Sequence, residues 1–325
     1  MHTSKTKRTP SGYITSSFGA VVSMTSSECN FSNCIFDENR GISDNSVTTG
    51  PFCGCAIYAN SSSILNVKLC NFTNNLFYEI GYQSVNTGLN WICAYLYSVT
   101  SATFSDCIFK NSTSYIKDKG SSTYFVATGG AFYLSSSFSS FNRCVFIDNC
   151  LKVDGVSKSV HSVMRGSAIY SNYDELICTE CSFTNNAAYY YSLSNYIEGG
   201  AIYMTNGTIN NCCFSDNIAV NGGHICYIQS SVSSYLIIDK CNFITTNDNN
   251  GYMKSLIFIK SSENTNSSKM FTNNQLSFSN AENLMIFNGT VTHKKYFNYT
   301  TGSEYYIFTY LCFSFENNCV SSYDN

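Results

Sequence analysis

The stretch Gly199–Asn217, GGAIYMTNGTINNCCFSDN, contains one complete unit of a repeat that runs through the chain. Two small residues lead into an apolar run. Two pairs of residues spaced two apart follow, at Gly207/Ile209 and Cys212/Phe214, and Asn217 ends the unit. The next small pair, Gly222-Gly223, begins 23 residues after Gly199. We interpret this stretch as one turn of a coil.

The pattern apolar-x-apolar-x-x-Cys-x-Phe-x-x-Asn recurs along the chain. Its Cys position holds Cys34, Cys70, Cys107, Cys144, Cys181, Cys212 and Cys241. Its Phe position holds Phe36, Phe72, Phe109, Phe146, Phe183, Phe214 and Phe243, at spacings of 36, 37, 37, 37, 31 and 29. Its Asn position holds Asn39, Asn75, Asn149, Asn186 and Asn217, with Ser112 and Thr246 in two copies. Later copies are expected at Leu276 and Phe278, and at Phe313, Phe315 and Asn318. Such a period indicates a repeat architecture.

The spacing within each unit favours strands. Apolar residues recur at intervals of two, and the residues are β-formers. The three-residue step from Ile209 to Cys212 breaks the alternation and predicts a bend. The sequence therefore predicts an all-β fold, a parallel β-helix of about nine turns with three short strands per turn. We expect residues 1–17 to form a frayed tail and residues 18–325 one repeat domain, degenerate after about residue 247.

The shared positions predict structural ladders. A free cysteine behaves as a small buried hydrophobe, so the seven repeated cysteines predict a core stack. Asparagines at one corner can hydrogen-bond along the rod and tolerate a left-handed backbone. Cysteines outside the ladder are the better disulfide candidates: Cys53, Cys150, Cys213 and Cys319. The Cys178-x-x-Cys181 pair falls on core positions and has no second ligand pair, so neither a metal site nor a cofactor is expected.

Composition narrows the function. Of 325 residues, 15% are aromatic and 12% charged, and the net charge is -3, so no basic stripe exists for a nucleic-acid partner. No apolar run is long enough to predict a transmembrane segment. The basic start is not followed by an apolar run typical of a signal peptide. Only two prolines occur, which suits a stack of strands.

Variable inserts follow most Asn positions. They are rich in Ser, Gly, Asn, Tyr and Lys, and we expect them to form loops at one corner of the coil, a frequent location of binding surfaces. The tyrosines that follow the inward apolar residue should point outward: Tyr58, Tyr133, Tyr170 and Tyr203. Stabilising stacking is the first interpretation of this row, and sugar binding is the alternative.

The alternation of GGA-apolar with Phe-x-x-Asn resembles the polymorphic membrane protein repeats of chlamydiae and similar repeats in surface proteins of parasitic protists. The first motif occurs at Gly129-Gly130-Ala131-Phe132 and Gly199-Gly200-Ala201-Ile202, and imperfectly at Gly54-Cys55-Ala56-Ile57 and Gly166-Ser167-Ala168-Ile169. The second runs from Phe36…Asn39 to Phe214…Asn217. The resemblance spans roughly residues 19–318. It implies a right-handed β-helix exposed at a cell surface and used in adhesion.

Because β-helices also include polysaccharide lyases and glycosidases, an enzyme is the competing hypothesis. A glycosidase needs two carboxylates about 5–10 Å apart. Asp148 and Asp216 are the candidates, but their position also holds Asn74 and Thr245, which indicates a turn residue. The four histidines lie in unrelated phases, with only His224 on a predicted strand. We therefore predict a non-enzymatic, surface or secreted scaffold that presents loops to a host-cell protein or glycan.

Asn-x-Ser/Thr sequences are compatible with glycosylation in an exported protein. Eight occur, at Asn30, Asn60, Asn71, Asn111, Asn206, Asn266, Asn288 and Asn298.

Overall fold

The computed structural model describes residues 17–18, 21–45, 52–53, 56–81, 92–118, 126–135, 137–155, 163–190, 196–229, 233–245, 257–260, 271–272, 274–278, 285–288 and 297–299. This part of the chain contains strands and turns and no helix. Residues 1–16 of the predicted tail 1–17, and the last predicted copy, Phe313 to Asn318, lie outside the described residues, whereas Ser17 lies in a strand.

Three long parallel sheets, I to III, form the coil, with strands numbered along the chain. Sheet I contains β2 (Val22–Thr25), β7 (Ile57–Asn60), β11 (Ala94–Tyr97), β16 (Phe132–Ser135), β21 (Ile169–Asn172), β26 (Ile202–Met204), β29 (Ile225–Ile228), β32 (Ile257–Lys260) and β35 (Met285–Asn288). Sheet II contains β3 (Glu28–Ser32), β8 (Ile64–Lys68), β12 (Ser101–Ser105), β17 (Phe138–Asn142), β22 (Glu175–Thr179), β27 (Gly207–Asn210), β30 (Leu236–Asp239) and β33 (Phe271–Thr272). Sheet III contains β4 (Ile35–Asp37), β9 (Asn71–Thr73), β13 (Ile108–Lys110), β18 (Val145–Ile147), β23 (Ser182–Thr184), β28 (Cys213–Ser215), β31 (Asn242–Thr245), β34 (Asn274–Phe278) and β36 (Phe297–Tyr299).

Successive turns add a strand to sheet I, then to sheet II and then to sheet III, and equivalent residues pair in register. Phe109, for example, is the register partner of both Phe72 and Phe146. Inward side chains from all three sheets form one continuous apolar core. The architecture is therefore a parallel β-solenoid, as the sequence predicts.

Left-handed residues make the corners. The residue before each repeated cysteine, and the residue before each ladder position from Asn39 to Asn217, have φ near +50°, as in Asp106 (56°) and Asn111 (54°). This corrects one expectation: the left-handed residue precedes the ladder asparagine. The small-residue pairs have a steric cause, since Gly199 has φ of +71° and a Cβ on Gly200 would lie 2.3 Å from the Gly223 carbonyl oxygen.

The inserts correct a larger expectation, because they begin and end as strands. Sheet IV is built from β5 (Arg40–Asn45), β10 (Leu76–Gly81), β14 (Thr113–Asp118), β19 (Cys150–Gly155) and β24 (Ala187–Tyr190). Sheet V is built from β15 (Val126–Thr128), β20 (Val163–Arg165) and β25 (Tyr196–Glu198). A two-stranded pair, β1 (Ser17–Phe18) with β6 (Phe52–Cys53), completes the set. A turn with an insert thus has more than the three strands expected.

Sheets IV and V enclose a second apolar core. It contains Ile116, Leu151, Val153 and Ala188 from sheet IV and Ala127, Met164 and Ile197 from sheet V. The short link after Asn217 closes this core, since Ala219 and Val220 are buried in it. The same link bridges both sheets, pairing Ile218 with Ala187 and Asn221 with Glu198.

The degenerate copy near residue 276 has a different phase from the one expected. Leu276 pairs with Phe243 and therefore occupies the Phe position of sheet III, and Tyr299 follows it there. Phe271 takes the sheet II position, opposite Ile238.

Candidate functional site

The outward face of sheet IV carries an aromatic and charged row. Tyr78, Tyr115, Lys152 and Tyr189 are register partners on adjacent strands. Their neighbours in each strand point the other way: Ile116 and Leu151 are buried in the second core, and Phe77 is buried against Ile92. Tyr189 is 39% exposed, and the other three are half-buried. We call these four residues the lateral row.

The contacts within the lateral row fix its geometry. The rings of Tyr78 and Tyr115 are parallel, with centroids 5.2 Å apart. The Lys152 ammonium lies 5.5 Å from the Tyr115 centroid, and the Tyr115 hydroxyl donates to Asp154 Oδ2 at 2.8 Å. The Tyr115 ring thus contacts both of its neighbours in the row, Tyr78 and Lys152. Burial raises the pKa of the Tyr189 phenol, so it is neutral at pH 7.

The predicted tyrosine row lies on the outer face of sheet I. It includes Tyr95, which sequence reasoning missed because no GGA motif precedes it, and its centroids are 5.1 to 5.3 Å apart. Tyr58, Tyr170 and Tyr203 are 7%, 6% and 4% exposed. Stacking is therefore confirmed for this row, and sugar binding is wrong for those three rings because they are covered.

Sheet V helps to cover the tyrosine row of sheet I through an ion pair. Arg165 on β20 lies 4.8 Å from the Tyr203 centroid, and its Nε is 2.8 Å from Glu198 Oε2. Burial alone would lower the pKa of Arg165, but Tyr203 and Glu198 raise it overall. Burial raises the pKa of both Tyr170 and Tyr203. Within this cluster the positive charge of Arg165 is therefore paired with the negative charge of Glu198.

The ladder asparagines are buried and hydrogen-bonded along the stack. Asn149 Nδ2 donates to Asn186 Oδ1 at 2.9 Å and to the Phe109 carbonyl of the preceding turn at 3.0 Å. Asn186 repeats this arrangement, donating to Asn217 Oδ1 and to the Phe146 carbonyl, and Asn217 donates to the Phe183 carbonyl. Asn75 likewise donates to the Phe36 carbonyl and accepts from Asn39.

The ladder cysteines from Cys70 to Cys241 are at most 2% exposed, whereas Cys34, in the first described turn, is half-buried. Their thiols donate to the carbonyl two residues earlier, as Cys107 does to Ser105 at 3.2 Å. Burial raises the pKa of Cys70. The ladder phenylalanines from Phe72 to Phe243 are fully buried, and Phe36 is 7% exposed.

The disulfide expectation is wrong for Cys150 and Cys213. All thirteen cysteines whose side chains are described carry free thiols. Cys150 lies between Thr113 and Ala187, and Cys213 between Ser182 and Asn242, so neither has a cysteine in register. The side chain of Cys53 and all of Cys319 lie outside the described part.

The remaining candidates are dispersed. Asp148 is exposed and Asp216 is 9% exposed, and both occupy left-handed corner positions with Asn185 between them. No group of three or more possible metal ligands lies together within the described ranges. No membrane-spanning helix occurs among the residues whose structure is described. His224 is fully buried and directly precedes β29, so it lies beside the strand and not on it as expected.

The described sequons differ in their surroundings. Asn30 and Asn111 are exposed, and Asn60, Asn71 and Asn206 are half-buried. Asn60 Nδ2 donates to the Tyr58 hydroxyl, and Asn206 Oδ1 accepts from the Tyr235 backbone. The side chains of Asn266, Asn288 and Asn298 lie outside the described part.

Sequence reasoning missed the lateral row because it treated the inserts as loops. The available signal was alternation after the Asn position, in LFYEIG, TSYIKD and CLKVDG. Comparison with known protein families, curated proteins and solved structures finds no match to this chain.

Proposed function

We propose that this chain is a non-enzymatic, cell-surface or secreted β-helix protein that binds a partner through the outward face of sheet IV. The observation that carries the proposal is the lateral row, an ordered array of tyrosines and a lysine on parallel strands. Tyrosine offers apolar area and a hydroxyl at low entropic cost, which suits binding surfaces. Adhesion to a host-cell protein or glycan is the function that this surface supports best.

The polymorphic membrane protein-type resemblance is part of the same proposal. It supports a right-handed coil. The number of repeats supports about nine turns, a count that fits the nine-stranded order of sheets I and III. Three strands suffice for a turn whose link is as short as residues 218–221. Surface exposure also fits the sequons, of which Asn30 and Asn111 are exposed.

Binding by purified protein to glycan arrays and to cells tests the proposal. The variant Tyr115→Ser/Lys152→Ser/Tyr189→Ser should retain the melting profile within a few degrees and lose at least tenfold in affinity. Tyr173→Ser is the matched control, because Tyr173 is 67% exposed at the corner between sheets I and II. Equal binding by both variants would remove sheet IV from the proposal. Polysaccharide cleavage that Asp148→Asn or Asp216→Asn abolishes would favour the enzyme.

A further inference from the structure

His224 stands where the asparagine ladder ends. Strand register places it with the residue that precedes the inward apolar position in the five turns from β7 to β26, which is Ala56, Cys93, Ala131, Ala168 and Ala201. His224 is 0% exposed, and its ring lies 6.0 Å from Phe214 and 5.8 Å from Phe243. In the turns with an alanine at this position, the small side chain leaves room for the asparagine of the next ladder position. At His224 the imidazole itself fills that room.

The hydrogen bonds of Asn217 determine which way its amide faces. Its Oδ1 accepts from both the backbone nitrogen and Nδ2 of Asn186, each at 2.9 Å. Its Nδ2 donates to the Phe183 carbonyl at 2.9 Å and faces His224 Nδ1 at 3.2 Å. Because the amide cannot flip without losing the Asn186 bonds, His224 Nδ1 must be the acceptor. It replaces the Oδ1 of a further ladder asparagine.

The electrostatic surroundings agree with a neutral ring. Burial lowers the pKa of His224 to about 3, although the nearby Asp216 carboxylate and a hydrogen bond with the Ile244 backbone act in the opposite direction. Asp216 is the charged group that acts on the ring, while Asn217, Phe214 and Phe243 present no titratable group. A histidine whose folded pKa is depressed supplies its full stability above the unfolded pKa of about 6.5 and loses it as the pH falls.

We propose that His224 is an acid-sensitive latch that joins the regular asparagine ladder to the turns that follow it. Protonation places an N–H on Nδ1, opposite the Asn217 N–H that it previously accepted. Two donors then face each other at a fully buried position, which costs free energy because neither can turn to solvent. The strands after Asn217, namely β29, β30 and β31, then open more often, while β8 to β23 keep their own ladder.

Hydrogen exchange of the intact chain at pH 7 and pH 5 tests the latch, after correction for intrinsic exchange. The opening equilibrium of β29 to β31 should rise on the order of 20-fold between these values, because the open form binds a proton with a pKa of about 6.5. In His224→Gln the amide oxygen can accept from Asn217 without titrating, so the rise should fall below about threefold. His161→Gln is the control and should behave like the unaltered protein.

Two results would overturn the proposal. One is the same pH response in the unaltered protein and in His224→Gln, and the other is an equal loss of protection in β8 to β23. If His224→Gln does not fold, NMR titration of the unaltered protein decides. An imidazole that titrates near pH 6.5 in the folded state, with no shift of the Asn217 side-chain amide, would equally contradict the latch.

Discussion

At the scale of single residues, two positions fill the same part of the core in each turn. They are the ladder position and the residue before the inward apolar position of sheet I. Where the ladder has an asparagine, the residue before the inward apolar position is Ala56, Ala131, Ala168 or Ala201. Where Ser112 replaces asparagine, Cys93 fills the gap, with its Sγ 3.3 Å from the Ser112 Oγ. Burial raises the pKa of Cys93 to about 12, so the thiol stays neutral there.

This pairing predicts a compensating double substitution. Ser112→Asn alone forces an amide against the Cys93 thiol and should cost about 1–3 kcal/mol, as overpacking does. Adding Cys93→Ala restores the alanine–asparagine pair and should recover that loss. Urea unfolding of both single variants and the double variant measures the coupling. Additive effects would show that the two positions do not share space.

Asp174 is a second residue whose titration makes stability depend on pH, and its effect has the opposite sign to that of His224. Its side chain is 1% exposed at the corner before β22, where it accepts from the Ser137 backbone, and burial raises its pKa to about 8. A carboxyl whose folded pKa is raised loses stability as the pH rises from about 4 to 8. Asp174→Ser introduces the residue type that Ser63 and Ser137 provide at the equivalent corner of other turns. It should stabilise by ~2–5 kcal/mol at pH 8.5 and by less at pH 4.5. A gain that is the same at both values would contradict a titrating carboxyl.

At the scale of elements, the second core changes what an insert is expected to do. Ala188 and Ile197 of the last full insert are 0% and 1% exposed and pack with Leu151, Val153 and Met164. Replacing residues 187–197 with a four-residue link should therefore lower stability by several kcal/mol, at roughly 1–3 kcal/mol for each buried side chain lost. Shortening only residues 191–195 keeps both strands and is the control. Thermal melts of the two deletions should differ clearly, and equal melting points would place residues 187–197 outside the core.

The sequence predicts sheets I to III well because each of their short strands carries a repeated identity. Cys-x-Phe, for instance, places two residues in the core in almost every turn. The positions that must be buried are therefore the positions at which the same residue types recur. Sheet IV has no such identity: Phe77, Ser114 and Leu151 occupy equivalent inward positions with three different residues. The strands of sheet V have only three residues each. The latch histidine was visible in register, since His224 follows the small pair at the position of Ala201, but its partner could be identified only from the hydrogen bonds of Asn217.

At the scale of the whole molecule, the stack of turns makes stability depend on position. Phe146 is fully buried, with parallel rings at 4.8 Å and 4.6 Å in Phe109 and Phe183. Phe36 occupies the same position in the first described turn, is 7% exposed, and has one parallel neighbour, Phe72 at 4.5 Å. The two residues are chemically identical and differ mainly in how many turns enclose them.

Substituting each phenylalanine with alanine separates the two contributions. Phe146→Ala should cost about 3–5 kcal/mol, the usual range for a core phenylalanine. Phe36→Ala should cost about half as much, because it loses one stacked neighbour and leaves a cavity that opens to solvent. In a solenoid each turn is coupled mainly to its neighbours, so hydrogen exchange should accelerate first in β13, β18 and β23 for Phe146→Ala and in β4 and β9 for Phe36→Ala. Equal costs, or exchange that accelerates evenly over sheets I to III, would mean that the coil unfolds as one unit and that enclosure by neighbouring turns does not set local stability.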